Sequence, residues 1–385
     1  MRNRFWIIGI VCFYILGISR PVYAKEPYIE EYEEAVDLEG LDADLNGIRR
    51  AYGMEEDISF QDVFRILMSG DVEGAIQKAL ESFYRGMLVE VLENRTLLIK
   101  LLLLVVIAAV FHNYSSILKV SYVGEQGFYI TYLMIAMLLL QSFSLVYNMA
   151  EELICYIKEL MECLLPAFYM SLVLCSGLTT SQMVNSMFLG MLALLEKVLL
   201  YLVLPAIRVY FLVVVLNQIQ SKDRFSKLAA LIKQSVCFIL KAVGTGIIGL
   251  NVMKSILVPV YDNAKYSVLQ KGLSVIPGGS SFSALGTILL GAGVLIKNCV
   301  GISAVLLLVV LGGIPLLKMF SFYVAYRVIL AFVQPVSDKR ILAGIQGACD
   351  STGVLVRAAG TSLVLSILSI AIVILTTNVR WNTGG

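Results

Sequence analysis

The chain has 385 residues, 58% of them hydrophobic and only 15% charged, where a soluble domain carries nearer a quarter charged residues. Apolar runs of about 18 residues or more recur along it, long enough to cross about 30 Å of hydrocarbon as helix, and none alternates as an outer-membrane barrel strand would. The net charge of +2 hides an acidic segment and a basic remainder, but no dense basic face is present to neutralise phosphates, so nucleic acid is not an expected partner. The expected fold is all-α, a polytopic α-helical membrane protein with a small acidic exported helical region.

Residues 1–24 read as a signal peptide. Arg2 and Arg4 form the positive end, Phe5–Ile18 is an apolar core too short for a comfortable span, and Val22-Tyr23-Ala24 suits a cleavage site. An uncleaved anchor is the competing reading. Residues 25–95 form the exported region, with 18 acidic and 7 basic side chains; the remainder of the chain is basic, as the positive-inside rule asks of cytoplasmic loops.

The first third of that region, with Glu30, Glu31, Glu33, Glu34, Asp37 and Glu39, has few large apolar groups and is expected to be flexible. Ser59-x-x-Asp62 then matches a capping box, and Phe60, Val63, Phe64, Leu67 and Met68 follow at helical spacing. Ser69-Gly70 stops this helix and Asp71 caps the next, whose expected stripe is Ile76, Leu80, Phe83, Met87 and Leu88. The two stripes could pack on each other, on the membrane or on a partner. The region is too small for a robust core of its own, which makes Phe60, Phe64, Leu67, Ile76, Leu80 and Phe83 candidates for partner docking.

The transmembrane domain is placed at 96–378, followed by a tail at 379–385. Thr96–Phe111 and Phe128–Tyr147 are the first spans, separated from the next apolar segment by an amphipathic outer loop, Asn148–Glu162. Leu164–Leu178 contains Pro166 and reads as a partial crossing. Met183–Leu216 is divided by Glu196-Lys197 and Pro205, and the basic segment Gln218–Lys233 is the expected cytoplasmic loop. Val236–Val258 crosses again, ahead of an outer loop Tyr261–Ser283 with its Pro277-Gly278-Gly279 turn. Ala284–Ile296, Cys299–Leu317 and Phe320–Val333 follow, then a loop Gln334–Arg357 and a last span near Ala358–Thr376. The total is about six to eight crossings, without a visible internal repeat.

Gly244-Thr245-Gly246-Ile247-Ile248-Gly249 matches a dinucleotide fingerprint by spelling but lies in an apolar helix, where small residues serve close helix packing. His112 sits at a span boundary, without metal-ligand or nucleophile partners in the sequence. The seven cysteines form no CxxC pair and read as small buried hydrophobes, with a Cys155–Cys163 disulfide as the sharper alternative. No sequence pattern supports an enzyme, a metal or a cofactor.

What remains is a set of polar groups in or beside apolar runs: Glu196, Lys197, Arg208, Lys241, Lys254, Lys297, Asn298, Lys318, Arg327 and Gln334, with Asp338 just beyond. Charges at membrane depth are costly and face protein or water. Glu196, Lys197, Lys297, Asn298, Gln334 and Asp338 are therefore candidates either for interfacial turns and packing or for the lining of a conduit.

Segment order gives a resemblance. Leu67-Met68-Ser69-Gly70, Gly127-Phe128-Tyr129-Ile130-Thr131-Tyr132, Leu164-Leu165-Pro166 with Ser176-Gly177, Ile276-Pro277-Gly278-Gly279, Leu295-Ile296-Lys297-Asn298-Cys299-Val300-Gly301 and Gln334-Pro335-Val336-Ser337-Asp338 occur in that order. Together they resemble the stage III sporulation protein AE family of endospore-forming bacteria. Ser337, where that family commonly has glycine, is a departure.

The resemblance implies a permease-like, non-enzymatic subunit of the channel linking mother cell and forespore, in the outer forespore membrane on the mother-cell side. A secretion-type ATPase and ring-forming proteins would be its partners, besides the lipid bilayer. An autonomous secondary transporter and a structural membrane scaffold are the rival readings.

Overall fold

The computed structural model describes residues 38–51, 59–93, 99, 103, 121–176, 178–219, 224–273, 279–334 and 339–376. The expected signal peptide at 1–24, most of the expected span Thr96–Phe111, His112, Pro277-Gly278, Asp338 and the tail at 379–385 lie outside the described residues. Every regular element among the described residues is helical.

Three short helices come first. α1 (Leu38–Ala51) lies in a stretch expected to be largely flexible. It is ordered because Leu41 and Leu45 are buried, with Ile48 packed beside them, an i, i+4, i+7 stripe that gains its cover from other helices. α2 (Phe60–Met68) starts where its cap predicts. Ser59 Oγ accepts from the Asp62 N–H at 3.3 Å, yet Asp62 does not complete the box and pairs with Lys78 at 2.6 Å.

The second anchor of α2 is Asp42 of α1. Its carboxylate accepts from Ser59 Oγ at 2.6 Å, from the Phe60 N–H at 2.8 Å and from the Gln61 N–H at 3.1 Å. A carboxylate on orphan N–H groups at a helix N-terminus is favourable in both hydrogen bonding and dipole. Asp42→Ala should cost about 1–2 kcal/mol and open α1–α2 to limited proteolysis while the rest of the chain stays protected. Asp42→Asn, which keeps an acceptor, should restore most of the resistance.

Gly70 ends α2 in the left-handed region at φ 85, and the Asp71 N–H reaches back to the Ile66 carbonyl at 3.2 Å, as in a glycine-terminated helix. Asp71 Oδ1 then accepts from the Gly74 N–H at 2.8 Å, capping α3 (Val72–Glu93). The buried face of α3 differs from the expected one. Ala75 and Ala79 are buried, whereas Leu80 is 51% exposed. Small side chains let α3 approach a long helix closely, and Phe83 packs on Gly313 there.

The remaining helices are longer than their hydropathy suggests. α4 (Ser121–Ser176) runs for 56 residues straight through the expected loop Asn148–Glu162. Leu153, Ile154, Ile157, Leu160, Met161 and Leu164 are all buried, a helical stripe that the interleaved charges concealed. α5 (Leu178–Val198) continues through a π turn at Leu199–Val203 into α6 (Leu204–Ile219). The turn precedes Pro205, which lacks an N–H and whose ring crowds the carbonyl four residues back. A wider turn, with the Leu204 N–H on the Leu199 carbonyl, absorbs that defect without breaking the rod. The polar pair Glu196-Lys197 interrupts nothing.

Asn217 Oδ1 accepts from the Arg224 and Phe225 N–H groups at 3.2 and 2.9 Å, tying the end of α6 to the start of α7 (Ser226–Leu273). The expected loops Gln218–Lys233 and Tyr261–Ser283 are therefore shorter than read. α8 (Gly279–Val333) spans 55 residues with Pro315 inside it, where three apolar segments making two or three crossings were expected. α9 (Lys339–Thr376) occupies most of the expected loop Gln334–Arg357, whose glycines, serine and threonine face a neighbouring helix instead of solvent.

α8 and α9 form an antiparallel hairpin in close register. Gly301 faces Ile374, Gly312 faces Leu363, Leu316 faces Gly360 and Tyr323 faces Gly353. α4 runs antiparallel to α8, with Phe168 beside Gly301 and the hydroxyls of Ser142 and Tyr326 hydrogen-bonded. α6 joins α4 through the stacked rings of Phe143 and Phe211, 4.0 Å apart, and through Tyr132 Oη, which donates to the Val215 carbonyl at 2.9 Å.

Among the described residues, five stretches are long and apolar enough to cross a membrane: Tyr132–Met170, Gly190–Gln218, Ser226–Leu250, Leu295–Val333 and Lys339–Ile372. Two further expectations change. Cys155 and Cys163 are free, and on one helix their separation is about 12 Å, too far for a disulfide. A methyl group added at Gly244, Gly246 or Gly249 would meet nothing within 4 Å, so among the described residues these glycines mediate no close helix packing.

Candidate functional site

The candidate polar residues do not gather into one place. Lys297 lies on α8 and is 0% exposed; its ammonium donates to the Ile374 carbonyl at 3.2 Å. Ile374 is in the last turn of α9, where carbonyls lack helical partners and the dipole is negative. The lysine thus caps a helix end from a neighbouring helix. A fully covered ammonium in this position does not line an opening. Asn298, next to it, has a buried Oδ1 with no hydrogen-bond partner among the described residues.

Glu196 belongs to a second group. Lys158 of α4 reaches Glu196 at 3.4 Å and Glu162 at 4.0 Å, while Lys197 points outward. Because Phe168 is level with Gly301, Lys297 stands more than about 15 Å further along the bundle than Lys158. Gln334 is at the opposite end of α8, exposed, its N–H on the Leu330 carbonyl at 3.0 Å. Asp338 is outside the described residues.

A third group was missed from the sequence. Lys233 of α7 pairs with Asp350 of α9 at 2.8 Å, and its ammonium sits 6.0 Å from the Tyr210 ring centre of α6. Gln346 donates to the other Asp350 oxygen at 3.4 Å. The signal for it was Asp350 itself, a lone acid in the small-residue run Gly344–Gly353 that demanded a cation. Nearby, Arg327 donates twice to Tyr323 Oη, at 3.1 and 2.8 Å, and Arg208 lies 5.4 Å from the Tyr147 ring.

The docking candidates divide. Phe60 and Phe64 stack at 6.5 Å and, with Leu67, are buried by the chain itself. Ile76 and Phe83 are partly buried. Leu80, joined by Tyr84, is the outward apolar surface of α3.

No solved structure matches the chain. A curated relative, stage III sporulation protein AE of Bacillus subtilis (strain 168), is 21% identical over 389 aligned positions, covering 97% of this chain and 98% of the relative. The family model described as stage III sporulation protein AE matches residues 58–377, a range that runs from the cap of α2 to the end of α9. With its succession of long apolar helices, the chain belongs to the stage III sporulation protein AE family.

Proposed function

We propose that the chain is a non-enzymatic, permease-like subunit of the channel between mother cell and forespore, in the outer forespore membrane on the mother-cell side. It works there with a secretion-type ATPase and ring-forming proteins and supports late forespore development. Family membership supports the sporulation role.

One observation favours work within an assembly over transport by a lone copy. A solute path needs a continuous polar lining, yet Lys297, Glu196 and Asp350 each meet a partner in the same chain, at three different heights. A single bundle is filled where it would have to be open. A conduit made between subunits has no such conflict.

Deleting the gene should arrest the forespore after engulfment, and the protein should co-purify with other channel components from mother-cell membranes. Leu80→Asp with Tyr84→Asp, both on the outward face of α3, should leave abundance unchanged and reduce that co-purification. Normal spores from the deletion strain, or solute uptake by the purified protein alone in vesicles, would refute the assembly reading. Unchanged partners in the double variant would remove α3 as the docking surface.

A further inference from the structure

Along α4, α6 and α8 the outer surface changes character partway, whereas α5 and α7 keep exposed apolar groups such as Leu194, Ile248 and Leu250 farther along. On α4 the outward residues are apolar as far as Met137 and Leu140. Beyond them come Gln141, Ser144, Asn148, Glu151, Glu152 and Glu162, all exposed. From Leu295 onward, where the side chains of α8 are described, its exposed large hydrophobics are Phe320, Val324, Val328 and Phe332, the last 69% exposed. α6 adds Val209, Leu212 and Leu216 to the same band.

Charge bounds this band at both ends. At the end where α6 turns into α7 and α8 into α9, Arg224, Lys227, Lys339 and Arg340 lie together. At the other edge are Glu151 and Glu152 on α4, Lys318 on α8 and Arg357 on α9. Lys241 of α7 stands level with Arg357, since the Lys233–Asp350 pair and the void shared by Ile247 and Leu365 fix the register of α7 on α9. From Tyr132 to Glu151, or from Arg340 to Arg357, is about 25–30 Å of helix. A hydrocarbon core is about 30 Å thick. The charges inside the band have partners: Asp350 and Lys233 pair, Arg327 folds over Tyr323, and Arg208, toward the second edge, lies over the Tyr147 ring.

Just past the second edge, α3 sits on α8, with Phe83 against Gly313. The far side of α3 exposes Glu81 and Arg85, at 63% and 80%, which requires water. We infer that the acyl chains of one bilayer cover only the band between the two charge layers. The rest of the same helices, including Leu295–Leu311 and the Lys297 cap, project beyond the membrane as a platform that carries α1–α3. The partner of the band is lipid; the platform is presented to the aqueous side opposite the basic loops.

The test uses the full-length protein in open membrane fragments, with native cysteines replaced and single cysteines introduced at exposed positions. Met137→Cys, Leu212→Cys and Val324→Cys should react with a charged maleimide at least about ten-fold more slowly than Glu81→Cys, Glu162→Cys and Ala193→Cys, because hydrocarbon excludes both the reagent and the thiolate. As an independent measurement with native cysteines kept and Trp6 and Trp381 replaced by phenylalanine, a single tryptophan at 137 or 324 should be quenched by lipids brominated on their acyl chains. One at 162 or 193 should not. The proposal falls if position 193 or 162 is as protected, or as quenched, as 137. It falls equally if 137 and 324 label as fast as 81.

Discussion

Lys297→Glu should remove the protein from the membrane fraction. The substitution replaces a covered ammonium with a carboxylate facing the unpaired carbonyls at the end of α9, where the helix dipole already presents negative charge. An uncompensated buried charge costs about 3–5 kcal/mol, enough to shift most of a marginally stable fold toward degradation. Lys297→Met keeps the volume and gives up only the donor. The stranded carbonyl then costs about 1–3 kcal/mol, and abundance should fall several-fold without vanishing. Immunoblots of membranes and melting of the detergent-purified protein measure both. If the glutamate variant accumulated and melted like the native chain, the ammonium would not be holding α9 to α8.

Asp350→Lys should be nearly as damaging, for a different reason. It sets two ammonium groups against each other where α7, α9 and Tyr210 of α6 meet. Both side chains of the native pair keep partial exposure, at 36% and 26%, so the loss should be about 1–3 kcal/mol, below that of a fully buried pair. The reversed pair, Lys233→Asp with Asp350→Lys, should recover more than half of that loss. A double-mutant cycle on melting temperature isolates the coupling. Additive losses would mean that each residue acts through other neighbours.

The sequence disclosed both ends of α2 and the start of α3 closely and the extents of the long helices poorly, and one physical difference explains both. Ser59, Ser69-Gly70 and Asp71 act on the backbone next to them, so their effect is written locally. The expected loops at Asn148–Glu162 and Gln334–Arg357 rested on polarity. Charge does not end a helix, which runs on through the first of them with its charges outward, and in the second Ser351 and Thr352 are buried within the bundle. Glu196-Lys197 and Lys297-Asn298 looked like breaks for the same reason, although lysine and glutamate are good helix formers. Around the Pro277-Gly278-Gly279 turn, of which Gly279 alone is among the described residues, α7 ends at Leu273 and α8 begins at Gly279.

The site was legible as a set of suspects and not as a set of partners. Lys297 was singled out correctly as a charge needing an explanation, but its acceptor is a backbone carbonyl 77 positions away, which no spacing encodes. Phe60, Phe64 and Leu67 were recognised as an apolar face. What covers that face depended on α3 lying against α8, made possible by Ala75, Ala79 and Gly313.

The matched contacts between α8 and α9 also set what kind of motion this protein can support. Glycine lies on α8 at 301 and 312, against Ile374 and Leu363, and on α9 at 353 and 360, against Tyr323 and Leu316. Sliding one helix past the other by a single turn would drive bulky groups out of these notches and onto neighbouring side chains, all along the seam at once. Close-packed surfaces do not deform gradually in that way. The two helices are therefore coupled like the arms of one stiff lever, and a push on the platform where Phe83 meets Gly313 would reach the basic loops as tilt, with no telescoping stroke between them.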